Sequence, residues 1–503
     1  MNQNHKLNAS APRIISLGRR ALLGLVMMLA QNAVARVTSL VSQLVLAALL
    51  LPADFGLIGL TYTVTTIVST LTSIGVEDVI LQRTRTLYAW SGAAFWINLG
   101  MSTVGGVLVI LLAPAAAAAY HAPRLFGLLA VLALSMPLGA LSAVPGMIMR
   151  SRMQFGVFAA YGAIETVVQA LMTVGLAWLG YGAFSFVIPI PVISIVRAIT
   201  WWLLLAVKPP LRAQRRRWKY LVRNTAASFF SRLLIALISQ GDYMVLGLLA
   251  SQNVVGRYYF GFRLAAQPLW VFAGNLGGVL YPTLIQLKSD PVRQGKAALN
   301  ASTILSYCVM PVAMLQAAVA RPLLSSFFGQ KWADAIPVIQ ILSIGLALDA
   351  PSWIAGSLLA ARGEFVAGLR LVIFQVPVFF VLVIAGALFN QGVGVAYAVC
   401  LFYAATQPVF VYQVFRRIGV RLREVMLIYV KPAVLTVAAV GSGILLSGLP
   451  GLANAPLASA SVISAAAAVL YAILVRQFAP GVWSQVIKHT KWRETPPGST
   501  RSM

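Results

Sequence analysis

The stretch LLGLVMMLAQNAVARVTSLVSQLVLAALLL, residues 22–51, runs for thirty residues with a single charged side chain, Arg36. A helix needs about 20 mainly apolar residues to cross the hydrocarbon core of a bilayer. The stretch is therefore predicted to be a membrane-spanning helix that ends before the breakers Pro52 and Asp54. It lacks a convincing cleavage site, so we do not interpret it as a signal peptide.

The composition of the whole chain also indicates a membrane protein. Of 503 residues, 60% are hydrophobic and only 10% are charged, whereas soluble domains are usually about 25% charged. This excludes an ordinary soluble enzyme. Two cysteines in apolar stretches and three histidines without ligand spacing predict no disulfide framework, no metal site and no catalytic residues.

Fourteen segments have the length and composition of a membrane span. They are approximately 22–51, 55–81, 89–112, 125–149, 155–179, 184–207, 226–249, 258–287, 299–319, 335–359, 366–389, 393–415, 425–446 and 457–475. The predicted fold class is an all-α polytopic membrane protein with about 14 transmembrane helices.

The basic residues indicate how these helices are oriented. The chain has 38 Lys and Arg against 11 Asp and Glu, a formal net charge of +27. Thirty of the 38 fall in the segments on the same side as the N-terminus when fourteen helices are assumed. Cytoplasmic loops retain Lys and Arg during insertion, so both termini are predicted to be cytoplasmic.

An internal repeat predicts two lobes. ARVTSLVSQ (Ala35–Gln43) followed by LLPADFG (Leu50–Gly56) is similar to SRLLIALISQ (Ser231–Gln240) followed by LLASQNVVG (Leu248–Gly256). This matches the first helix with the seventh and predicts two pseudo-symmetric six-helix lobes around a central cavity, with a C-terminal helix pair. The predicted divisions are an N-terminal cytoplasmic segment 1–21, an N-lobe 22–207, a basic linker 208–223, a C-lobe 224–417, a helix pair 418–476 and a disordered tail 477–503.

Several motifs carry a resemblance to a known family. They are Leu50–Gly56 with Gly75–Arg83, Gly241–Gly247 with Val255–Leu264, Gly329–Leu342, and Leu358–Glu364. In this order, and at these helix ends, they resemble the polysaccharide flippases of the Wzx type. That family belongs to a superfamily that also holds multidrug and toxic-compound extruders and lipid II flippases. The resemblance covers about residues 22–417.

The resemblance implies a function in the bacterial inner membrane. It implies that undecaprenyl-pyrophosphate-linked oligosaccharide moves from the cytoplasmic to the periplasmic leaflet by alternating access, for exopolysaccharide, capsule or O-antigen synthesis. The implied partners are the lipid-linked oligosaccharide, membrane lipids and other polysaccharide assembly proteins, with no nucleic acid and no cofactor. Coupling to a proton or sodium gradient is left open. The alternatives are a multidrug exporter of the same superfamily and a membrane glycan polymerase or scaffold.

Charged side chains inside spans are the candidate site residues, because an ionisable group costs roughly 2.5 to 3.5 kcal/mol there on insertion scales. Arg36, Arg197 and Arg232 lie within the predicted first, sixth and seventh helices. A guanidinium binds phosphate oxygens in a bidentate way and stays charged. We therefore predict that these arginines bind the lipid pyrophosphate; the alternative is that each pairs with an acid or extends to the membrane surface.

Four further intramembrane charges are candidates for ion coupling or charge pairing. Glu165 and Asp349 lie near the middle of their predicted helices, and each could carry a coupling proton or neutralise an arginine. Asp242 and Arg263 lie near the predicted outer ends of the seventh and eighth helices, and a structural salt bridge is our interpretation for that pair.

Overall fold

The computed structural model describes residues 11–73, 87–151, 155–205, 226–448 and 455–491, and every element in these ranges is helical. The first helices are α1 (Ala11–Leu49), α2 (Pro52–Thr72), α3 (Leu87–Ala119), α4 (Arg124–Ser151), α5 (Phe155–Trp178), the short α6 (Phe184–Val187) and α7 (Pro189–Leu204). They are followed by α8 (Ala226–Leu249), α9 (Gln252–Ala265), α10 (Gln267–Gln286), α11 (Pro291–Phe328), α12 (Ala335–Leu348), α13 (Ala350–Arg362), α14 (Phe365–Arg416), α15 (Leu422–Ser447), α16 (Pro456–Phe478) and α17 (Pro480–Lys491). The motif at 75–83 and the predicted linker 208–223 lie outside the described residues.

The predicted all-α membrane fold is confirmed, because twelve helical segments of the described chain are long and apolar enough to cross a membrane. One of the twelve, Val366–Arg416, has non-helical backbone at Asn390 and Gln391, so α14 consists of two successive helices. The predicted span 258–287 is divided at Ala266 between α9 and α10 and is not among the twelve. The count of fourteen spans stays a prediction.

The described residues form two compact units. The first extends to Phe260 and includes Glu364–Ala398; the second consists of Gly261–Gly363 and the chain from Val399 onwards. The first unit thus contains α8 and the first half of α14, which the sequence assigned to the C-lobe, and α8 packs along α2. The predicted lobe division at 208–223 is not covered by the described residues and remains a prediction.

Helix pairs hold the first unit together. α3 packs along α4, α1 along α5, α4 along α7, and α2 along α8. Lipid tails are as apolar as leucine, so association of membrane helices depends on close packing at small residues. Gly106 of α3 illustrates this, since a Cβ there would lie 2.7 Å from the carbonyl oxygen of Ala133 in α4.

In the second unit, α11 is the central helix and contacts α12, α13, α15 and α16. α15 and α16 also pack along each other. Trp332, between α11 and α12, is fully buried and fixes the turn that connects them. Gln294 of α11 donates to the carbonyl oxygen of Leu284 and accepts from Arg362 of α13, which ties three helices of this unit together.

The segment predicted as a disordered tail from residue 477 begins with helix in the structure. α17 spans Pro480–Lys491, and its residues Val482 and Trp483 pack against the buried cluster of Tyr307, Leu435, Val475 and Ala479. The composition of the tail is polar, but two apolar side chains next to the end of α16 are enough to dock one short helix. Residues 492–503 lie outside the described chain.

Candidate functional site

In the membrane-spanning part of α1, one side carries exposed apolar side chains and another side packs against α5. The exposed apolar side chains share one side of the helix: Val37, Leu40, Val41 and Leu44. Met27 and Gln31 lie on another side, against Gly156 and Gly162 of α5. A helix of 3.6 residues per turn leaves a third side, about 120° from each of these two.

That third side is polar. Asn32, Arg36, Ser39 and Gln43 follow one another at spacings of four, three and four residues, which puts them on one face of α1. We call this set the Arg36 face. Only Arg36 was predicted, from its charge; the other three residues of this face could have been predicted from their spacing.

Exposure along the Arg36 face changes steadily. Asn32 is exposed, Arg36 and Ser39 are half-buried, and Gln43 is only 6% exposed. Leu46, Ala47 and Leu50 continue the same side and are buried. The face is therefore open towards the N-terminal end of α1 and closed towards the turn into α2.

A second polar face follows on α2. Tyr62, Thr66 and Ser69 lie at positions i, i+4 and i+7, and exposure rises from half-buried Tyr62 and Thr66 to exposed Ser69. α2 follows α1 after a two-residue turn, so in two membrane-spanning helices the C-terminal end of α2 lies on the same side as the N-terminal end of α1. Both polar faces thus open towards the same side.

α8 carries the next predicted arginine and joins α2 by a side-chain bond. Arg232 is exposed near the start of α8, with Ser239 exposed seven residues later on the same face. Thr63 of α2 donates a hydrogen bond of 3.2 Å to Oε1 of Gln240 in α8. In the internal repeat, Arg36 and Gln43 of α1 align with Arg232 and Gln240 of α8 when one residue is inserted between the two positions in α8.

The structure brings two of the predicted site residues into an ion pair. Nη2 of Arg197 in α7 lies 3.4 Å from Oε1 of Glu165 in α5, with side chains 36% and 18% exposed. Tyr161, one turn before Glu165, is within hydrogen-bonding reach of Thr200 and has its ring 4.9 Å from that of Trp201. Arg197 is therefore charge-compensated within the first unit.

Asp242 has a neutral hydrogen-bond donor from another helix. It is 2% exposed in α8, and its Oδ2 accepts a hydrogen bond of 2.8 Å from the hydroxyl of Tyr258 in α9. Its Oδ1 accepts from the backbone N–H of Tyr243 at 2.9 Å. Arg263 lies half-buried in the last turn of α9, and the predicted Asp242–Arg263 ion pair stays a prediction.

Asp349 lies at the junction of α12 and α13, in the second unit. The Ser352 hydroxyl donates to Oδ1, and the Trp353 indole N–H donates to Oδ2 at 2.9 Å. Asp349 is the N-cap residue of α13, and its carboxylate accepts from two side chains of the first turn and not from the backbone. These are neutral donors, as at Asp242.

Near the turn between α1 and α2, helices α2 and α9 contact each other at two glycines, Gly56 and Gly256. A Cβ on Gly56 of α2 would collide with the carbonyl oxygen of Gln252, and a Cβ on Gly256 of α9 would collide with that of Pro52. The two contacts are equivalent, since each glycine meets the carbonyl four residues before the other. Gly56 and Gly256 are also the final residues of the two repeat motifs.

Asp54, predicted from the sequence only as a helix breaker, lies at the same end of α2 and makes two hydrogen bonds there. Its Oδ2 accepts from the N–H of Leu51 at 3.1 Å, and its Oδ1 accepts from the N–H of Ala183 at 3.2 Å. The carboxylate thus caps α2 and joins it to the turn before α6. Its position three residues after Leu51, at the third helical residue, was the available signal.

Comparison with known proteins assigns the family. The model of the family described as "Polysaccharide biosynthesis protein" matches residues 45–337, which is more than half of the chain. The chain belongs to this family. The matched region begins near the end of α1 and includes the Gly56–Gly256 contact and the Glu165–Arg197 pair.

Two relatives of this protein have names that refer to polysaccharide biosynthesis. The succinoglycan biosynthesis transport protein ExoT of Rhizobium meliloti is 24% identical over 307 residues, 61% of this chain and 62% of that protein. The lipopolysaccharide biosynthesis protein WzxC of Escherichia coli is 23% identical over 374 residues, 71% of this chain and 73% of that protein. The match thus spans about three fifths of the length of ExoT.

Solved structures share the fold. The lipid II flippase MurJ in an inward closed conformation has a TM-score of 0.71 at 11% identity, covering 90% of this chain and 99% of that one. An inward-facing multidrug resistance transporter of the MATE family has a TM-score of 0.60 at 16% identity, covering 76% of this chain and 94% of that one. The family member therefore has the fold that these two transporters share.

Proposed function

We propose that this protein is a flippase that moves undecaprenyl-pyrophosphate-linked oligosaccharide repeat units from the cytoplasmic to the periplasmic leaflet of the bacterial inner membrane. The observation that carries the proposal is the Arg36 face: a guanidinium in a membrane span, on a polar side of α1 turned away from its apolar side. A charge in that position is expensive unless a wet cavity or an anion compensates it.

The chemistry of the face suits an anionic lipid head. A guanidinium donates two parallel hydrogen bonds to phosphate oxygens and remains charged at any relevant pH. Arg36 and its repeat counterpart Arg232 are the proposed pyrophosphate ligands. Arg197 is the third candidate, and it would exchange its contact with Glu165 for the substrate.

Alternating access is the proposed route. The polar faces of α1 and α2 open towards one side, while Gly56 and Gly256 close the other end of the first unit. With both termini cytoplasmic, the open side is the cytoplasmic one, from which the lipid-linked unit would enter. The predicted lobes 22–207 and 224–417 would move against each other to expose the substrate on the opposite side.

The names of ExoT and WzxC support a polysaccharide substrate, and the fold shared with MurJ supports movement of a lipid-linked sugar. These likenesses also favour a transporter without catalytic chemistry. For coupling to a proton or sodium gradient, Asp242 and Asp349 are better candidates than Glu165, since their side-chain partners are neutral donors whereas Glu165 faces a cation.

Deletion of the gene tests the proposal. We expect lipid-linked repeat units to accumulate on the cytoplasmic leaflet, with export restored by the wild-type protein and not by Arg36→Ala. Val37→Ala, on the exposed apolar side of the same turn, is the matched control and should restore export. Normal polymer combined with new sensitivity to a cationic dye would indicate a drug exporter, and flipped but unpolymerised units would indicate a polymerase.

A further inference from the structure

Gln43 is a buried amide in the membrane-spanning part of α1. Its side chain is 6% exposed, and neither Nε2 nor Oε1 has a hydrogen-bond partner among the described residues. A carboxamide offers two donors and one acceptor oxygen, and burying it without partners is unfavourable. Such a group requires an explanation beyond packing, especially within a membrane span.

The repeat provides an internal comparison. Gln240, the counterpart of Gln43 in α8, accepts a hydrogen bond from Thr63 at 3.2 Å and so has a partner within the fold. The two glutamines thus differ, since Oε1 of Gln240 contacts a donor on another helix, whereas neither amide atom of Gln43 contacts one among the described residues. Because no described residue fills this role for Gln43, we look to a bound ligand for its partner.

The position of Gln43 identifies the chemistry of that partner. It lies on the Arg36 face, seven residues beyond Arg36, or about 10 Å further along the helix axis at 1.5 Å per residue. Ser39 lies between them, and Leu46 begins the buried apolar continuation. A ligand whose phosphate meets Arg36 from the open end would therefore extend its next group towards Ser39 and Gln43.

We propose that Gln43 hydrogen-bonds hydroxyl groups of the glycan while Arg36 binds the pyrophosphate, so that α1 distinguishes a sugar-bearing lipid from the bare carrier. The inference rests on the flippase function proposed above and adds a sugar-specific contact to it. Sugar hydroxyls both donate and accept, which matches a carboxamide that lacks both kinds of partner. A site that holds such a group unpaired disfavours any ligand that cannot satisfy it.

Binding measurements on the purified full-length protein test this inference. The probes are undecaprenyl pyrophosphate and the undecaprenyl-pyrophosphate-linked oligosaccharide extracted from the deletion strain. Gln43→Leu should weaken binding of the sugar-bearing lipid about tenfold and leave binding of the bare lipid unchanged. Arg36→Ala should weaken both. Gln240→Leu, the matched control, should lower thermal stability without changing the ratio of the two affinities.

The remaining outcomes separate the two proposals. If the wild-type protein binds both lipids equally, or if Gln43→Leu affects both or neither, the glycan contact is overturned and the flippase proposal stands. If the wild-type protein binds neither lipid, the flippase proposal fails and the glycan contact fails with it. Gln43→Leu should be at least as thermally stable as wild type, and Gln43→Met gives a second test. Loss of folding in both variants would assign Gln43 a structural role and overturn the inference.

Discussion

Gly56 and Gly256 lie against each other's helices so closely that a methyl group on either would collide with a backbone carbonyl of the other helix. The obstacle is backbone, which cannot change rotamer, so the helices would have to separate. The contact is two-fold in character, because each glycine meets the carbonyl four residues before its counterpart. It lies at the end of the first unit where α1 turns into α2, the end that the proposed transport cycle requires to be closed.

We expect Gly256→Ala and Gly56→Ala each to reduce export at least tenfold, because overpacking of this kind costs about 1–3 kcal/mol and weakens the closed end. Gly175→Ala in α5 is the control, since a Cβ there meets nothing within 4 Å. Polymer production and the reactivity of a cysteine introduced at Ala53 would be measured. Export by both alanine variants at the wild-type level would contradict a closing role for the contact.

Arg36→Lys should retain only part of the activity that Arg36→Ala loses. Lysine keeps the charge but lacks the planar fork that binds phosphate through two parallel hydrogen bonds. We expect export to fall by about tenfold, which corresponds to roughly 1.4 kcal/mol. The amount of inserted protein would be checked by immunoblotting. Equal export by the lysine and wild-type proteins would mean that charge alone is sufficient.

We expect the stability effects of substituting Glu165 and Arg197 to be non-additive. Glu165→Gln leaves Arg197 without its anion in a membrane span, and Arg197→Gln leaves Glu165 without its cation. Each single variant should be less stable than the double variant, with a coupling free energy of about 1 kcal/mol in thermal unfolding of the detergent-solubilised protein. Additive losses in the double variant would argue that the two side chains act independently.

Tyr258→Phe should destabilise the protein, because it removes the hydroxyl that donates to the buried carboxyl of Asp242. The expected loss is about 1–3 kcal/mol, the usual cost of leaving a buried group short of a partner. Tyr397→Phe, at an exposed position of α14, should change stability little. Equal stability of Tyr258→Phe and the wild-type protein would count against this account.

Much of the fold was predictable because membrane insertion depends on local composition. Each spanning helix satisfies its own backbone hydrogen bonds, so runs of apolar residues predict helices without knowledge of their neighbours. The break in α14 at Asn390 and Gln391 was also predictable locally, since the predicted spans 366–389 and 393–415 lie on either side of it. The helix α17 was missed because its docking depends on Tyr307 and Leu435, which are distant in sequence.

Composition and hydropathy are enough to predict the membrane-spanning character, the approximate helix segments and the few charges that lie inside them. Which of those charges meet depends on the packing of the helices. Glu165 contacts Arg197 on another helix, Asp242 contacts Tyr258, and Gln43 has no hydrogen-bond partner in the part of the chain that the structure describes. These outcomes depend on how side chains from separate helices pack face to face, and hydropathy along one helix carries no information about the neighbour that each face will meet.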